Sequence, residues 1–175
     1  RNKPIGNKVH LPGGFNFSFH KQSTPEGKIK TARIQKKASG WYLILTIDTN
    51  HPITGLQVTD SKVGIDTGFH DLAVLSDGTK YPNDRIYVKA QAQLAKVQRG
   101  KNKRKIALFQ ERLANKRRDR NHKISLEIIR NHKEIYITND NLKGQASLFG
   151  KSVGDAGISQ LRNFILYKGL NSGRK

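Results

Sequence analysis

The sequence predicts an α/β fold with a mixed sheet, preceded by a small β-rich module, and three observations predict it. The first sixty residues hold alternating or β-branched runs punctuated by Gly and Pro. From residue 63 the order reads as three strands, helices, a strand and a helix, the order of an α/β domain rather than of a bundle or sandwich. The length, 175 residues, suits one ordinary domain or two small ones. The expected division is a β-rich module over residues 1–60 and an α/β domain over 61–175.

In the first module, Phe15-Asn16-Phe17-Ser18-Phe19 alternates apolar and polar, and Trp41-Tyr42-Leu43-Ile44-Leu45-Thr46-Ile47 is aromatic and β-branched. Between them residues 27–37 read as a basic strand, with Ile29, Thr31, Arg33 and Gln35 on one face and Lys28, Lys30, Ala32, Ile34 and Lys36 on the other. Pro52 and residues 54–62 read as a linker. The second domain opens with Val63-Gly64-Ile65-Asp66 and continues through Leu72-Ala73-Val74-Leu75. It turns at Ser76-Asp77-Gly78, a hairpin signal, and resumes as a strand over 81–88. Over 89–132 the apolar positions 106, 109, 113, 124 and 128 step by three and four or their sums, which makes a helical stretch that Gly100 breaks in two. Glu134-Ile135-Tyr136-Ile137-Thr138 reads as a buried strand. Asp155 stands in the N-cap position of a last helix over 156–168.

Composition narrows the function classes. Lys and Arg number 33 against 13 Asp and Glu, a net charge of +20, far beyond what solubility needs and indicative of a polyanionic partner. With no Cys there is no disulfide, thiolate zinc site or cysteine nucleophile in these residues, and the six His form no paired ligand motif. No apolar run approaches the ~18 residues of a membrane span, and the first residues, Arg1-Asn2-Lys3-Pro4, lack the apolar stretch of a signal peptide. A soluble, intracellular protein with no membrane partner is the expectation. The absence of Met and the stop at Ser172-Gly173-Arg174-Lys175 suggest a segment of something longer.

Charge is densest over residues 96–123, where twelve Lys and Arg face Glu111 and Asp119 alone. Like charges at that density destabilise an isolated helix, so phosphate counterions would offset a real cost. Lys101, Lys103, Arg104, Lys105, Arg112, Lys116, Arg117, Arg118, Arg120, His122 and Lys123 are the candidate nucleic-acid contacts, Arg117 and Arg118 foremost because the guanidinium fork matches phosphate. A solvated basic face is the bland alternative, although such faces mix signs more evenly. Trp41 and Tyr42, aromatics in a strand, read more often as core, with stacking on a base the alternative. Asp66, a carboxylate at a strand end beside a Gly-permitted turn, is what divalent-metal phosphodiester chemistry needs if further acids join it; alone it reads more often as a turn residue than as a metal ligand.

Val63-Gly64-Ile65-Asp66-Thr67-Gly68-Phe69-His70-Asp71-Leu72-Ala73-Val74-Leu75-Ser76-Asp77-Gly78 resembles the opening of the RuvC domain in TnpB proteins, transposon-encoded RNA-guided nucleases related to type V CRISPR effectors. Glu111-Arg112-Leu113-Ala114-Asn115-Lys116-Arg117-Arg118-Asp119 with His122-Lys123-Ile124-Ser125 resembles that family's helix signature. Lys151-Ser152-Val153-Gly154-Asp155-Ala156-Gly157 with Leu166-Tyr167-Lys168 resembles its next helix. The likeness covers residues 63–168 in order, and the first sixty residues sit where the family carries part of its wedge domain, a β-barrel.

The resemblance implies an RNase H-like RuvC fold that holds a guide RNA and a double-stranded DNA target, with three acids binding two Mg²⁺ for strand cleavage. Asp66 matches the first acid. The second, normally a Glu sixteen residues beyond the signature His, falls by a gapless count from His122 on Thr138, which has no carboxylate. Asp140 would replace it only through a two-residue shift, about 6–7 Å along a strand. The third acid and a four-Cys zinc ribbon would lie past residue 175. The expectation is therefore an RNA-guided DNA binder with a degraded, inactive nuclease centre that represses transcription. An active Mg²⁺-dependent endonuclease using Asp66 and Asp140 is the alternative, and a transposon remnant or unguided basic binder is the third. Guide sequence, target-flanking motif, regulated gene and oligomeric state are not legible in these residues.

Overall fold

The computed structural model describes residues 8–10, 13–14, 16–20, 26–49, 60–138, 150 and 154–174. The chain divides into two compact units, Arg1–Pro52 and Ile53–Lys175.

In the first unit β1 (Lys8–His10) pairs antiparallel with β2 (Asn16–Ser18), and β3 (Lys28–Lys37) with β4 (Gly40–Asp48). The β3–β4 register shifts between Ile29 and Thr31, a bulge of the kind that increases local twist. Gly27 precedes β3 with φ +115°, and a Cβ there would run into the Asp48 carbonyl, so only glycine fits. Val9 is buried, whereas β3 is mostly exposed and carries five cations in ten residues.

The second unit holds a four-stranded sheet in the order β7-β6-β5-β8, built from β5 (Lys62–Asp66), β6 (Asp71–Leu75), β7 (Lys80–Pro82) and β8 (Glu134–Ile137). The meander β5-β6-β7 is antiparallel, and β8 lies parallel to β5, so the sheet is mixed as the sequence predicts. Between β7 and β8 run α1 (Ile86–Arg99) and α2 (Lys103–Asn131), and α3 (Ile158–Asn171) follows β8. One face of the sheet is covered. Val63 and Ile65 of β5 and Leu72 and Leu75 of β6 pack in one cluster with Ile124, Ile128 and Ile129 of α2 and Ile158, Leu161 and Ile165 of α3. Each such side chain contributes about 1.5–3 kcal/mol on burial.

Local chemistry explains the turns. Thr79 N–H donates to Asp77 Oδ1 at 2.8 Å and Gly78 takes φ +91°, closing the β6–β7 hairpin where the Asp-Gly signal lies. The helical stretch breaks at Gly100, and Asn102 caps α2 by accepting from Lys105 N–H at 3.0 Å.

Three expectations require correction. β8, expected as a buried strand, has no fully buried residue and leaves Tyr136 62% exposed, because only one face of the sheet meets the core. The strand expected over 81–88 ends at Pro82, and residues 86–88 open α1 instead. Pro82 has no N–H for a ladder, and Tyr87 N–H finds its acceptor in Asp155 Oδ1 at 2.7 Å. For the same reason Asp155 does not cap the last helix. Its carboxylate serves α1, while α3 begins after Gly157, which sits at φ +66°. Among the described residues no helix is long and apolar enough to cross a membrane.

Candidate nucleic-acid interface and strand-end acid site

Asp66 ends β5 with its side chain exposed on the face of the sheet that the core does not use, since Val63 and Ile65 point the other way. Parallel pairing of Gly64 with Tyr136 and of Ile65 with Ile137 carries Thr138 to the position beside Asp66, and Thr138 N–H donates to Ile65 O at 3.2 Å. By the pleat, Gly64, Asp66, Tyr136 and Thr138 share that face. Together with Val74 and Ser76 they line a shallow depression of about 510 Å³. Asp140 lies outside the described residues.

A two-metal centre needs several hard oxygen donors converging on ions about 4 Å apart. Among the described residues no cluster of three or more His, Cys, Asp or Glu is placed to hold a metal ion. Asp66 beside Thr138 is one carboxylate and one hydroxyl-bearing side chain, a donor set that does not fit a pair of Mg²⁺ ions.

The loop after Asp66 is tied to α3. Thr67 is buried, and Arg162 Nη2 donates to its Oγ1 at 2.8 Å. On the far side of the loop, Asn83 Nδ2 donates to Phe69 O at 2.9 Å. The acid therefore stands on a turn held from two directions. Sequence reading identified neither Arg162 nor Asn83, because both partners are remote in the chain.

The cations of α2 fall into two groups. At 100° per residue Lys105, Arg112, Lys116 and Lys123 form one stripe, spaced 7, 4 and 7 and spanning about 27 Å of helix. All four are exposed, as are Lys101, Lys103, Arg104 and Arg118 nearer the hairpin tip or to the side. Lys123 forms an i,i+4 ion pair with Asp119 at 2.7 Å, and a second exposed acid, Glu127, follows one turn beyond Lys123 on the same side. A straight cationic stripe with its side chains in water is free to meet a polyanion.

Arg117 and Arg120 fall instead on the side of the buried residues Leu113, Asn121, Ile124 and Ile128. Arg117 donates through Nη1 to the Gly154 carbonyl. Arg120 donates through Nη2 to Ala156 O at 2.6 Å and through Nε to Asn121 Oδ1 at 3.3 Å. Burial holds the Arg120 guanidinium below the usual arginine range, with the Asp84 and Asp155 carboxylates opposing. Fully buried Asn121 donates to Gly157 O at 3.1 Å and to Gln160 Oε1 at 3.3 Å. These side chains satisfy the backbone entering α3. Their signal was present in the sequence: 113, 117, 120, 121, 124 and 128 step along one apolar stripe, so a polar residue there faces the core.

His122 stacks on Phe164 of α3, ring centroids 3.9 Å apart. Desolvation pushes its pKa below the usual histidine range, and the Lys168 and Arg118 charges push the same way. Lys168 reaches back to α2, donating to His122 O and Ser125 Oγ at 2.7 Å each, and desolvation lowers its pKa too. His122 and Lys168 thus join α2 to α3.

Fold and site define a basic α/β protein with an open sheet face, one strand-end carboxylate and an outward cationic helix. The family described as "Probable transposase" matches residues 47–147, more than half of the chain. The chain belongs to this family and is a TnpB-like protein. It is 30% identical to "Putative RNA-guided DNA endonuclease InsQ" of Escherichia coli (strain K12), over 94% of this chain and 42% of that protein. It is also 30% identical to "Putative RNA-guided DNA endonuclease" of Streptomyces pristinaespiralis, over 86% of this chain and 41% of that protein. It spans less than half the length of both relatives.

Proposed function

We propose that this chain is part of an RNA-guided DNA-binding protein with an RNase H-like RuvC domain that does not cut, and that the complex represses transcription at the DNA its guide matches. The observation that carries the reading is Thr138: the strand pairing that sets it beside Asp66 puts a hydroxyl where a second carboxylate is needed. The sheet order, a three-stranded meander with a parallel fourth strand beside β5, supports the RNase H-like assignment. Partners follow from charge and kinship. The outward cations of α2 suit phosphates of guide RNA or target DNA, base pairing supplies sequence choice, and loss of the acids spares recognition.

The test is to purify the full-length protein containing this chain from its host and sequence the RNA that survives a high-salt wash. Expected is a single dominant structured RNA with a defined guide segment, whose complex binds matched DNA without cleaving it in Mg²⁺. A broad smear of cellular RNA overturns guided binding. A Mg²⁺-dependent cut that disappears in Asp66→Ala overturns the non-cutting reading.

A second reading, an active endonuclease, is favoured by the names of both relatives. It uses Asp66, Asp140 and an acid outside these residues, and it requires Asp140→Ala to abolish cleavage while sparing DNA binding.

A further inference from the structure

We propose that the β3–β4 hairpin of the first unit is a stacking platform for an unpaired nucleotide, with Trp41 the base-binding surface and Lys36 the phosphate contact. The proposal rests on the reading of the chain as a nucleic-acid binder and adds a site in the other compact unit. Trp41 is the chain's single tryptophan, and it is 69% exposed, although an indole is ordinarily among the more buried side chains. Tyr42 beside it is 41% exposed. Strand geometry alone allows either residue to be core; neither is.

The charge around them selects the occupant. Lys36 is the cross-strand partner of Trp41, and its Nζ lies 5.5 Å from the ring centroid. Lys37 Nζ lies 4.8 Å from the centroid of Tyr42, whose hydroxyl is 2.8 Å from Ser39 Oγ. Lys28, Lys30 and Arg33 continue the cationic run along β3, with Lys30 bound to Asp48 at 3.0 Å. An exposed ring with an ammonium over it complements a nucleotide, whose flat base can take the ammonium's place on the ring while the phosphate one backbone unit away pairs with it. Below the ring, a groove of about 340 Å³ lies between the two hairpins of this unit, lined by Trp41, Tyr42, Leu43, Ile34, Phe17 and Phe19 among others. An apolar protein segment would fill such a groove, but would leave the flanking ammoniums without an anion. A duplex keeps its bases stacked away from the ring. The fitting ligand is a single-stranded nucleic acid, guide or displaced strand.

The single tryptophan makes the test direct. The full chain of 175 residues is titrated with oligouridylate, oligothymidylate, a duplex of equal phosphate number and inorganic polyphosphate, with tryptophan emission excited beyond tyrosine absorption. Saturable quenching by the single strands and not by polyphosphate is expected. Trp41→Ala is expected to weaken oligouridylate or oligothymidylate binding about tenfold, read by anisotropy of a labelled strand, with Trp41→Phe restoring most of it and duplex affinity unchanged. Oligodeoxyuridylate, which differs from oligouridylate in the sugar alone, completes the series, and the tighter binder of that pair identifies RNA or DNA as the source. Quenching by polyphosphate equal to that by the single strands overturns stacking in favour of plain charge. Absent quenching with intact duplex binding overturns this site and leaves the proposed function standing, whereas failure of every nucleic acid to bind overturns both. The wild-type quenching result needs no variant, so a misfolded Trp41→Ala would not rescue the proposal.

Discussion

Lys105, Arg112, Lys116 and Lys123 stand on one side of α2, and Arg117 and Arg120 on the other; the difference is one of helical phase, not of residue type. The outward four are in water along a single line. The inward two spend their donors on the carbonyls of Gly154 and Ala156. Charge counting treats the six alike, since each adds one cation to the run over residues 96–123. Phase separates them into groups that can meet phosphate and groups that hold the fold together. Removing an outward cation should therefore change binding at constant stability, and removing an inward one should do the reverse.

The sharpest test of that division is the quadruple variant Lys105→Gln, Arg112→Gln, Lys116→Gln and Lys123→Gln. If each side chain meets a phosphate, duplex affinity falls about a thousandfold at 0.1 M salt, and the slope of log K against log salt loses about four units. The thermal midpoint should stay put or rise, because like-charge repulsion on the helix is relieved. An unchanged salt slope would mean that the stripe is only a solvated face.

The inward group gives the complementary result. Arg120→Met deprives the Ala156 carbonyl of its charged donor, and Asn121→Ala empties a fully buried site, leaving Gln160 Oε1 without this amide and the Gly157 carbonyl with only the Gln160 and Leu161 N–H groups. Each should cost about 1–3 kcal/mol in urea unfolding and leave the salt slope of binding as in the wild type. If Arg120→Met instead reduces the slope by one unit without loss of stability, the inward assignment is wrong.

Gly157 offers a smaller probe of the same junction. Its φ of +66° and the 3.3 Å that would separate an added Cβ from Asn121 Nδ2 both disfavour a side chain. Gly157→Ala should destabilise by about 1 kcal/mol. Combined with Asn121→Ala the cost should be less than additive, since the crowding partner is gone; strict additivity in a double-mutant cycle would show that backbone strain alone is at work.

Some of this was legible in the residues. The strand ending in Asp66, the Asp-Gly turn, the break at Gly100 and the long helix all follow from signals within a few positions of one another. Reading failed where a distant partner decided. Ile86, Tyr87 and Val88 are β-branched or aromatic and look like a strand, but Asp155, 68 residues away, takes the Tyr87 N–H and lets a helix begin. The same contact removed Asp155 from the cap its local sequence announces. The strand-end site was legible in part: Asp66 could be singled out, and counting from His122 reached Thr138, but that the two stand side by side depends on the parallel pairing of β5 with β8, which no local pattern contains. Arg162 holding Thr67 lay beyond reach for the same reason.

The smallest expected effect belongs to His122, which lies between the two groups of α2 and belongs to neither. Its ring packs on Phe164, and desolvation, Lys168 and Arg118 all press its pKa below the ordinary value, with Asp119 opposing. In the unfolded chain the ring takes up a proton near pH 6.5, before the folded form does, so the unfolded state binds more protons as pH falls through that value. The His122 contribution is therefore present in full above about pH 6.5 and erodes below it. It levels off once the folded ring is also charged. His122→Phe keeps a ring for Phe164 to stack on and removes the titrating group. The difference in thermal midpoint between variant and wild type, measured from pH 8 to pH 5, should grow in favour of the variant as pH drops. Parallel profiles would show that the ring is as easily charged in the fold as in water, and that Lys168 stands near it only to hold the His122 carbonyl and Ser125.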